Sequence, residues 1–600
     1  MSLVTAGTDR ASKRKLSNVA LGSEHADLVI RGGALVNVYT REVYPAEIAI
    51  AGNRIAAVDV DLSHAVGPLT DVLDADGRFL VPGFIDTHSH VHESQLPIPE
   101  YARAVIARGT TSVSTDFYGE LVVGGVAAVD ACLDAARTLP LKLLFMLGTP
   151  GYYQNFPFGH SGWPTLDDMR ALALRPECVG MDDSFAAYIA DGESGILDLV
   201  DEVQSRGLWV SSHGAEMTGR RLQAWMAYLG ATDDHECVSA DDAVAKSRLG
   251  VYVTAREGAG CYNLAEVIKA ITVGGIDPRR FCFNTDVPSS VEIADLGHID
   301  HSVRMAIELG IEPLVALQMA TLNASECLGV TRHLGAISPG KIADVLLVGD
   351  LRAVDVQCVI ADGRIVLADG DSATEIFGKV SFPQAARDTV IFKRAVVEAD
   401  FAIRTGAPDG RAPGRVIGAF GHTVTTDDIT EMLDVFDGYV LADQARDLLK
   451  IAAIERVRGT GEIGVGLVTG FHLKGSCALA TTFNSQQQNC IVVGTTDHDM
   501  AVAANELARV GGGFIAVRDG CVAAMLELPL FGLLSEEPYE VVVAQLKGLL
   551  SVVAEMGCDM QSPFATLGFV GLPVDIGHLK ICPEGLVDVW SRSIVEVVPA

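Results

Sequence analysis

No apolar run in this 600-residue chain approaches the roughly 20 residues a bilayer-spanning helix needs. Stretches such as Cys521 to Leu526 and Leu549 to Ala554 end far too soon, so a membrane span is excluded despite a mean hydropathy of +0.29. Basic residues are also scarce. There are 45 Lys and Arg against 77 Asp and Glu, giving a formal charge of −32. That excludes a non-specific nucleic-acid binder, because phosphate binding depends on clustered positive charge. No secretory leader is expected from the first residues: Lys13-Arg14-Lys15 is basic, but Leu16 to Leu21 runs into Gly22, Ser23, Glu24 and His25 rather than an apolar core and cleavage site. The twelve cysteines contain no Cys-x-x-Cys and no compact framework, so buried free thiols in a reducing cytoplasm are expected. No dinucleotide fingerprint, low-complexity tract or internal repeat is present, and Gly511-Gly512-Gly513 reads as a tight turn.

What is present divides the chain. Residues 1–26 are polar and are expected to be flexible. From Asp27 short β-type runs follow one another, such as Leu28-Val29-Ile30, Glu47 to Ile50 and Arg54 to Val58, with Gly32-Gly33 and Gly52-Asn53 at the turns. After Val81-Pro82-Gly83 the rhythm becomes strand, loop, helix. Expected strands are Phe84 to Asp86, Thr111 to Thr115, Leu141 to Leu147, Cys178 to Met181, Trp209 to Ser212, Val251 to Thr254 and Phe281 to Asn284. Amphipathic helices are expected over Glu193 to Arg206 and Asp300 to Leu309. Repeated β/α units over about 250 residues predict a TIM-type (β/α)8 barrel. Strand patterns return at Asp344 to Val348 and Cys358 to Val366, with Asp362-Gly363 as a hairpin turn. The reading is an α/β chain with a barrel (81–334) inserted in a small β domain (27–80 and 335–380). A C-terminal α/β domain (381–600) follows, with helices from Asp499 and Glu537.

His88-Ser89-His90 follows an apolar strand, and alternate strand residues point to the same side, so two imidazoles could converge on one metal. His213 ends Leu208 to Ser212, His235 lies in Asp233-Asp234-His235-Glu236, and Asp286 closely follows Phe281 to Asn284. Most of these sit where a barrel strand opens onto its catalytic face. Imidazoles and a carboxylate holding paired metals would lower the pKa of water toward neutrality, and Asp286 could also accept its proton. With no thiolate cluster, the set favours hydrolysis over redox chemistry. Glu257 is a candidate acid or substrate anchor, Glu236 a candidate catalytic or ligand-orienting group, and Tyr118, Glu120 and Arg256 candidate substrate contacts. His298 and His301 lie in a loop-to-helix segment, structural or catalytic.

Five segments together carry a resemblance. They are Val81 to His90, Asp234-His235-Glu236-Cys237, Arg256-Glu257-Gly258, Gly297-His298-Ile299-Asp300-His301 and Met319 to Ala324. With Gly459 to Phe471 in the C-terminal region, they resemble the amidohydrolase superfamily and, within it, the bacterial adenine deaminases. The resemblance covers nearly the whole chain. It implies a small-molecule substrate and a binuclear divalent metal site of iron or manganese, or zinc; a cytoplasmic location is expected from the scattered cysteines, and a homo-oligomer is expected as well. Its chemistry would be hydrolysis at C6 of adenine, or a related aminopurine, to the oxo-purine and ammonia. His88, His90, His213, His235 and Asp286 match the ligand positions. No lysine occurs near Cys178 to Met181 to serve as a carboxylated bridge; Asp182 or Asp183 stands where the family uses Glu. The family's His-x-His-x-Glu-Ser reads here His88-Ser89-His90-Val91-His92-Glu93-Ser94, so His92 takes the Glu place unless one residue is inserted. Asp-Pro-His-Glu becomes Asp116-Phe117-Tyr118-Gly119-Glu120, and His-Asp-Ser-His-Asn becomes Ser485-Gln486-Gln487-Gln488-Asn489. These changes with the ligands retained point to conserved hydrolytic machinery and an altered substrate pocket. The alternative is an amidohydrolase opening a cyclic amide or another C–N bond; a third, non-enzymatic reading is a purine-binding sensor.

Overall fold

The structure is a computed structural model that describes residues 8–149, 164–192, 194–215, 217–230, 232–368, 371–378, 381–421, 423–573 and 577–599. Both flanks of the barrel contribute to one nine-stranded sheet. Phe79–Pro82 pairs antiparallel with Val345–Val348, placing Leu80 opposite Leu347. One face of this sheet buries Ile30, Ile48, Ile50, Ile55, Leu80, Val345 and Ile360 in a shared cluster. That shared burial ties the two distant segments together. The Asp362-Gly363 turn joins Val356–Ala361 to Arg364–Ala368, with φ of 52° and 75°. A side chain on Gly363 would lie 2.3 Å from the Gly52 carbonyl oxygen, so the turn needs glycine for space as well as conformation.

The N-terminus corrects one expectation. Residues 1–7 lie outside the described residues, but Arg10–Ala20 is a helix rather than a flexible run. The Asp9 side chain caps it by accepting from the Ala11 and Ser12 amides at 2.8 and 3.0 Å. Val19 is buried with Val29, Ala49 and Leu62. The apolar positions are few but lie on one face, which the polar composition conceals.

Eight parallel strands build the barrel: β1 (Phe84–Ser89), β2 (Thr110–Thr115), β3 (Lys142–Gly148), β4 (Cys178–Phe185), β5 (Trp209–His213), β6 (Asp233–Asp234), β7 (Tyr252–Gly258) and β8 (Phe281–Asn284). Seven match expected strands. β6 was not expected: it has two acidic residues and no apolar period for sequence reading to detect. A backbone bridge between Ser89 and Asp286 brings β8 back to β1. The expected helices appear as Ser194–Ser205 and Ile299–Glu308; Glu193 lies outside the described residues.

The C-terminal domain holds a ten-stranded, mostly antiparallel sheet. Helices Asp497–Val510, Tyr539–Glu555 and Pro563–Val570 accompany it. Gly511 to Gly513 leave the first of these helices with φ of 87°, 121° and 147°. A side chain on Gly513 would meet the Leu526 carbonyl oxygen at 2.1 Å, which agrees with a tight turn. This domain docks on the barrel beside β1. Ser535 donates its amide to the Gln95 carbonyl at 2.9 Å, and Arg103 pairs with Glu540 at 2.6 Å. All twelve cysteines are free; eleven are buried as expected, and Cys521 is exposed. Among the described residues no helix is long and apolar enough to cross a membrane.

Candidate active site

The C-terminal ends of the barrel strands bring the expected imidazoles together. His88 lies within β1 and His90 just beyond it, His213 ends β5, His235 follows β6, and Asp286 lies two residues past β8. All five are buried. The His88 and His235 rings stack with centroids 3.8 Å apart, and His213 meets His235 edge-on at 5.3 Å. Asp286 has φ of 55°, a left-handed conformation in which its amide takes the His88 carbonyl and its carbonyl accepts from the His90 amide. Backbone strain at this residue therefore fixes its carboxylate between the two β1 histidines.

The carboxylates sort into two roles. Asp182 Oδ1 lies 3.0 Å from His88 Nδ1, and Asp116 Oδ1 lies 2.9 Å from His90 Nδ1. Both contacts turn the Nε2 atoms inward. There, Asp183 Oδ2 is 3.4 Å from His90 Nε2, and its Oδ1 is 3.4 Å from His235 Nε2 and 3.8 Å from His88 Nε2. Asp286 Oδ1 sits 3.3 Å from His88 Nε2 and 3.5 Å from His90 Nε2. The β4 alternation thus separates the two neighbours: Asp183 reaches the cluster and Asp182 orients a histidine from behind. Burial works against the Asp183 carboxylate, but the surrounding imidazoles hold it below the usual carboxylate range.

Three overlapping sets, His88-His90-Asp183, His88-His235-Asp286 and His213-His235-Glu236, bring donor atoms within 4.8 Å of one another. Nitrogen and oxygen donors without thiolate suit zinc, iron or manganese. Carboxylates behind His88 and His90 are the usual outer support of metal-binding imidazoles. The residues therefore fit a divalent metal.

Other candidates fall elsewhere. Arg256 donates through Nη1 to Asp286 Oδ2 at 2.7 Å and to Glu236 Oε1, and through Nη2 to Asn263 Oδ1 at 2.9 Å. Its guanidinium is spent on site carboxylates, which corrects its expected role as a substrate contact. Glu257, next along β7, faces the opposite way and lines a separate small cleft with Tyr262, Glu292, His298 and His301. The catalytic role expected of it is not supported. Glu257→Gln should leave kcat/KM within about twofold, as expected for a substitution outside the reacting constellation. Steady-state assay checks this, and a loss of activity beyond tenfold would restore Glu257 to the chemistry. His298 is spoken for structurally, with Thr110 Oγ1 at 2.9 Å and the Tyr101 hydroxyl at 3.0 Å.

Glu120 also misses the cavity. It is buried behind His92, its Oε2 3.6 Å from His92 Nδ1, which corrects its expected substrate role. Tyr118 does line the cavity, together with Glu93, a residue that motif alignment left unassigned. The Tyr118 hydroxyl donates to Glu93 Oε1 at 2.9 Å, while Glu93 Oε2 is buried without a partner. His92 packs edge-on against Tyr118 outside the cavity lining, so in this chain Glu93, and not His92, is the residue that faces the cavity. The signal available in the sequence was the retained Glu93-Ser94 pair. Ser485, Gln486, Val424, Phe569 and Leu572 of the C-terminal domain complete the cavity wall.

Comparison with known proteins agrees with this geometry. Residues 79–366 match the Amidohydrolase family and residues 423–593 the Adenine deaminase C-terminal domain. The chain is 37% identical over 592 residues to the adenine deaminase of Moorella thermoacetica, covering 98% of both chains. It is 36% identical over 589 residues to adenine deaminase 3 of Rhizobium meliloti, covering 97% of this chain and 98% of that one. The adenine deaminase of Paracoccus denitrificans is 36% identical over 592 residues, with 98% of both chains covered. With both family models matched in order along the chain and these relatives covered over 97–98% of its length, the chain belongs to the adenine deaminase family of the amidohydrolases.

Proposed function

We propose that this protein is a metal-dependent hydrolase that converts adenine and water to hypoxanthine and ammonia. The observation carrying the proposal is the convergence of four imidazoles with Asp183 and Asp286 at the barrel mouth, beneath a matching C-terminal domain. His88, His90, Asp183 and Asp286 would hold one divalent ion; Asp183, His213 and His235 would hold a second. Iron, manganese and zinc all suit this donor set. Bound ions of this kind supply a nucleophile at neutral pH by lowering the pKa of water.

The chain's own groups do the rest. Asp286 has Oδ2 tied to Arg256 and Oδ1 turned to the histidines, so its carboxylate is held at the cluster, where it accepts the proton of attacking water. That proton is returned to the exocyclic nitrogen as the C6–N bond breaks and ammonia leaves, while the other proton of water passes to N1 of the hypoxanthine. Glu236, bonded to Arg256 and 3.4 Å from His213 Nε2, fixes that imidazole and the guanidinium relative to each other. Glu93 and Tyr118 hold the purine ring from the side. Phe569 and Leu572 exclude water above it.

Purified protein reconstituted separately with iron, manganese and zinc should release ammonia and hypoxanthine from adenine. Ring opening of lactams or hydantoins, with no ammonia released from adenine, would favour the cyclic-amide reading. No turnover of any of them with any of the three metals would reject a hydrolase.

A further inference from the structure

Gln486 is the C-terminal domain's polar contribution to the cavity, and its geometry is unusual. It is 3% exposed, yet its Oε1 has no hydrogen-bond partner. It lines the same cavity as His90, Asp183, His213, His235 and Asp286. Its φ is 68°, and Gln488 nearby has 55°, left-handed conformations that side-chain-bearing residues adopt only when their surroundings impose them.

The surroundings do impose them. Arg456 is fully buried and donates to the Gln488 carbonyl through Nε at 2.5 Å. Through Nη2 it reaches the Thr482 carbonyl at 3.0 Å, and through Nη1 the Phe531 carbonyl at 2.9 Å. Asn484 donates to the Gly568 carbonyl at 3.0 Å, tying the loop to the helix that carries Phe569. Amides within the loop close it, Gln487 onto the Ser485 carbonyl and Gln488 onto that of Asn484. Ser485 lies 3.2 Å from the Tyr118 hydroxyl, which links the loop to the barrel wall. A rigid loop therefore holds a buried carbonyl oxygen unpaired in the substrate cavity. Leaving such an acceptor unmade is costly, so the arrangement suits a ligand that brings an N–H to it.

Resting on the deaminase reading, we infer that Gln486 selects a free purine base by pairing with its N9–H and N3 edge. With C6 placed at the imidazole cluster, the ring atoms farthest from the reacting carbon are N3, C8 and N9. A carboxamide matches that edge: Oε1 accepts from N9–H, and Nε2 donates to the N3 lone pair. A purine substituted at N9 lacks the proton and adds bulk where the loop cannot move. Gln486 touches the substrate remote from the bond that breaks, so it acts on substrate choice and KM rather than on the chemical step.

The test compares adenine with 9-methyladenine on the metal-loaded full-length protein. Wild type should prefer adenine in kcat/KM by at least about 100-fold, because a site built to bond an N–H rejects the analogue lacking it. Gln486→Met keeps the volume and removes both polar atoms. It should cost adenine about 10- to 100-fold, mainly through KM, and alter 9-methyladenine by less than about threefold. Gln486→Glu keeps an acceptor and should retain most of the preference. Metal content and thermal midpoint monitor folding, and if Gln486→Met does not fold, the Gln486→Glu ratio decides. Equal losses on both purines, an unchanged ratio in Gln486→Met, or a ratio lost in folded Gln486→Glu each overturn the inference. Wild type that turns over both purines equally overturns this inference alone. Wild type inert toward adenine removes the deaminase reading and this inference together.

Discussion

His213→Ala is expected to lose metal and hydrolysis together. The imidazole ends β5 and projects Nε2 to within 3.4 Å of Glu236 Oε1, edge-on to His235. In the proposed site His213 shares its ion with only Asp183 and His235, so its removal leaves that ion two protein donors; the nearby Glu236 is held by Arg256. Changing an outer supporting residue of a metal site already costs about 10- to 100-fold in affinity or activity. A donor in the cluster itself should cost more, and we expect kcat/KM to fall at least about 1,000-fold. Because an ion bound only to the folded chain stabilises it by mass action, the thermal midpoint gained on metal addition should shrink as well. Elemental analysis, turnover and metal-dependent melting check the three parts. Wild-type stoichiometry at full activity would show that His213 is no ligand.

Much of this was legible from the residues in order. Strands such as Lys142–Gly148 and Phe281–Asn284 are rich in apolar residues, and strand ends carry His and Asp, so period and punctuation marked seven strands with His88, His90 and His213 at or just past their ends. What was missed has specific causes. β6 consists of Asp233 and Asp234, held in place by its neighbours and by Lys246, whose Nζ donates to Asp234 Oδ2 at 2.7 Å. Tertiary contacts, not propensity, make that strand. Choosing between Asp182 and Asp183 required the register of β4, which composition does not fix because both neighbours are acidic. The same one-residue ambiguity misplaced Glu257: on β7 it is Arg256 that faces inward. His92-Glu93 posed the same choice, and only the cavity shows that Glu93 is the member facing it. Where side chains alternate, sequence names the pair and packing names the member.

Arg256→Met should be the most destabilising substitution around the site. The guanidinium is 2% exposed and lies between Asp286 and Glu236, with Asn263 filling its remaining fork. Removing it leaves two buried carboxylates facing each other without compensation. Breaking a buried ion pair by deleting one partner costs about 3–5 kcal/mol. Lysine would be a poor substitute, since one point charge cannot bridge two carboxylates and an amide as a planar fork does. The cost should depend on pH, and metal-free protein isolates it. Burial alone would raise the Asp286 carboxyl, but Arg256 and His88 hold it well below the ordinary range. A depressed carboxylate contributes stability above its unfolded pKa of about 3.9 and loses it as pH falls through the folded value. Denaturant unfolding of chelated wild type and Arg256→Met should therefore differ most near neutrality, the gap narrowing as pH drops below about 4. A gap that stays constant from neutral to acid pH would mean Arg256 acts by packing alone, and the Asp286 carboxylate would then need another group to hold it in place.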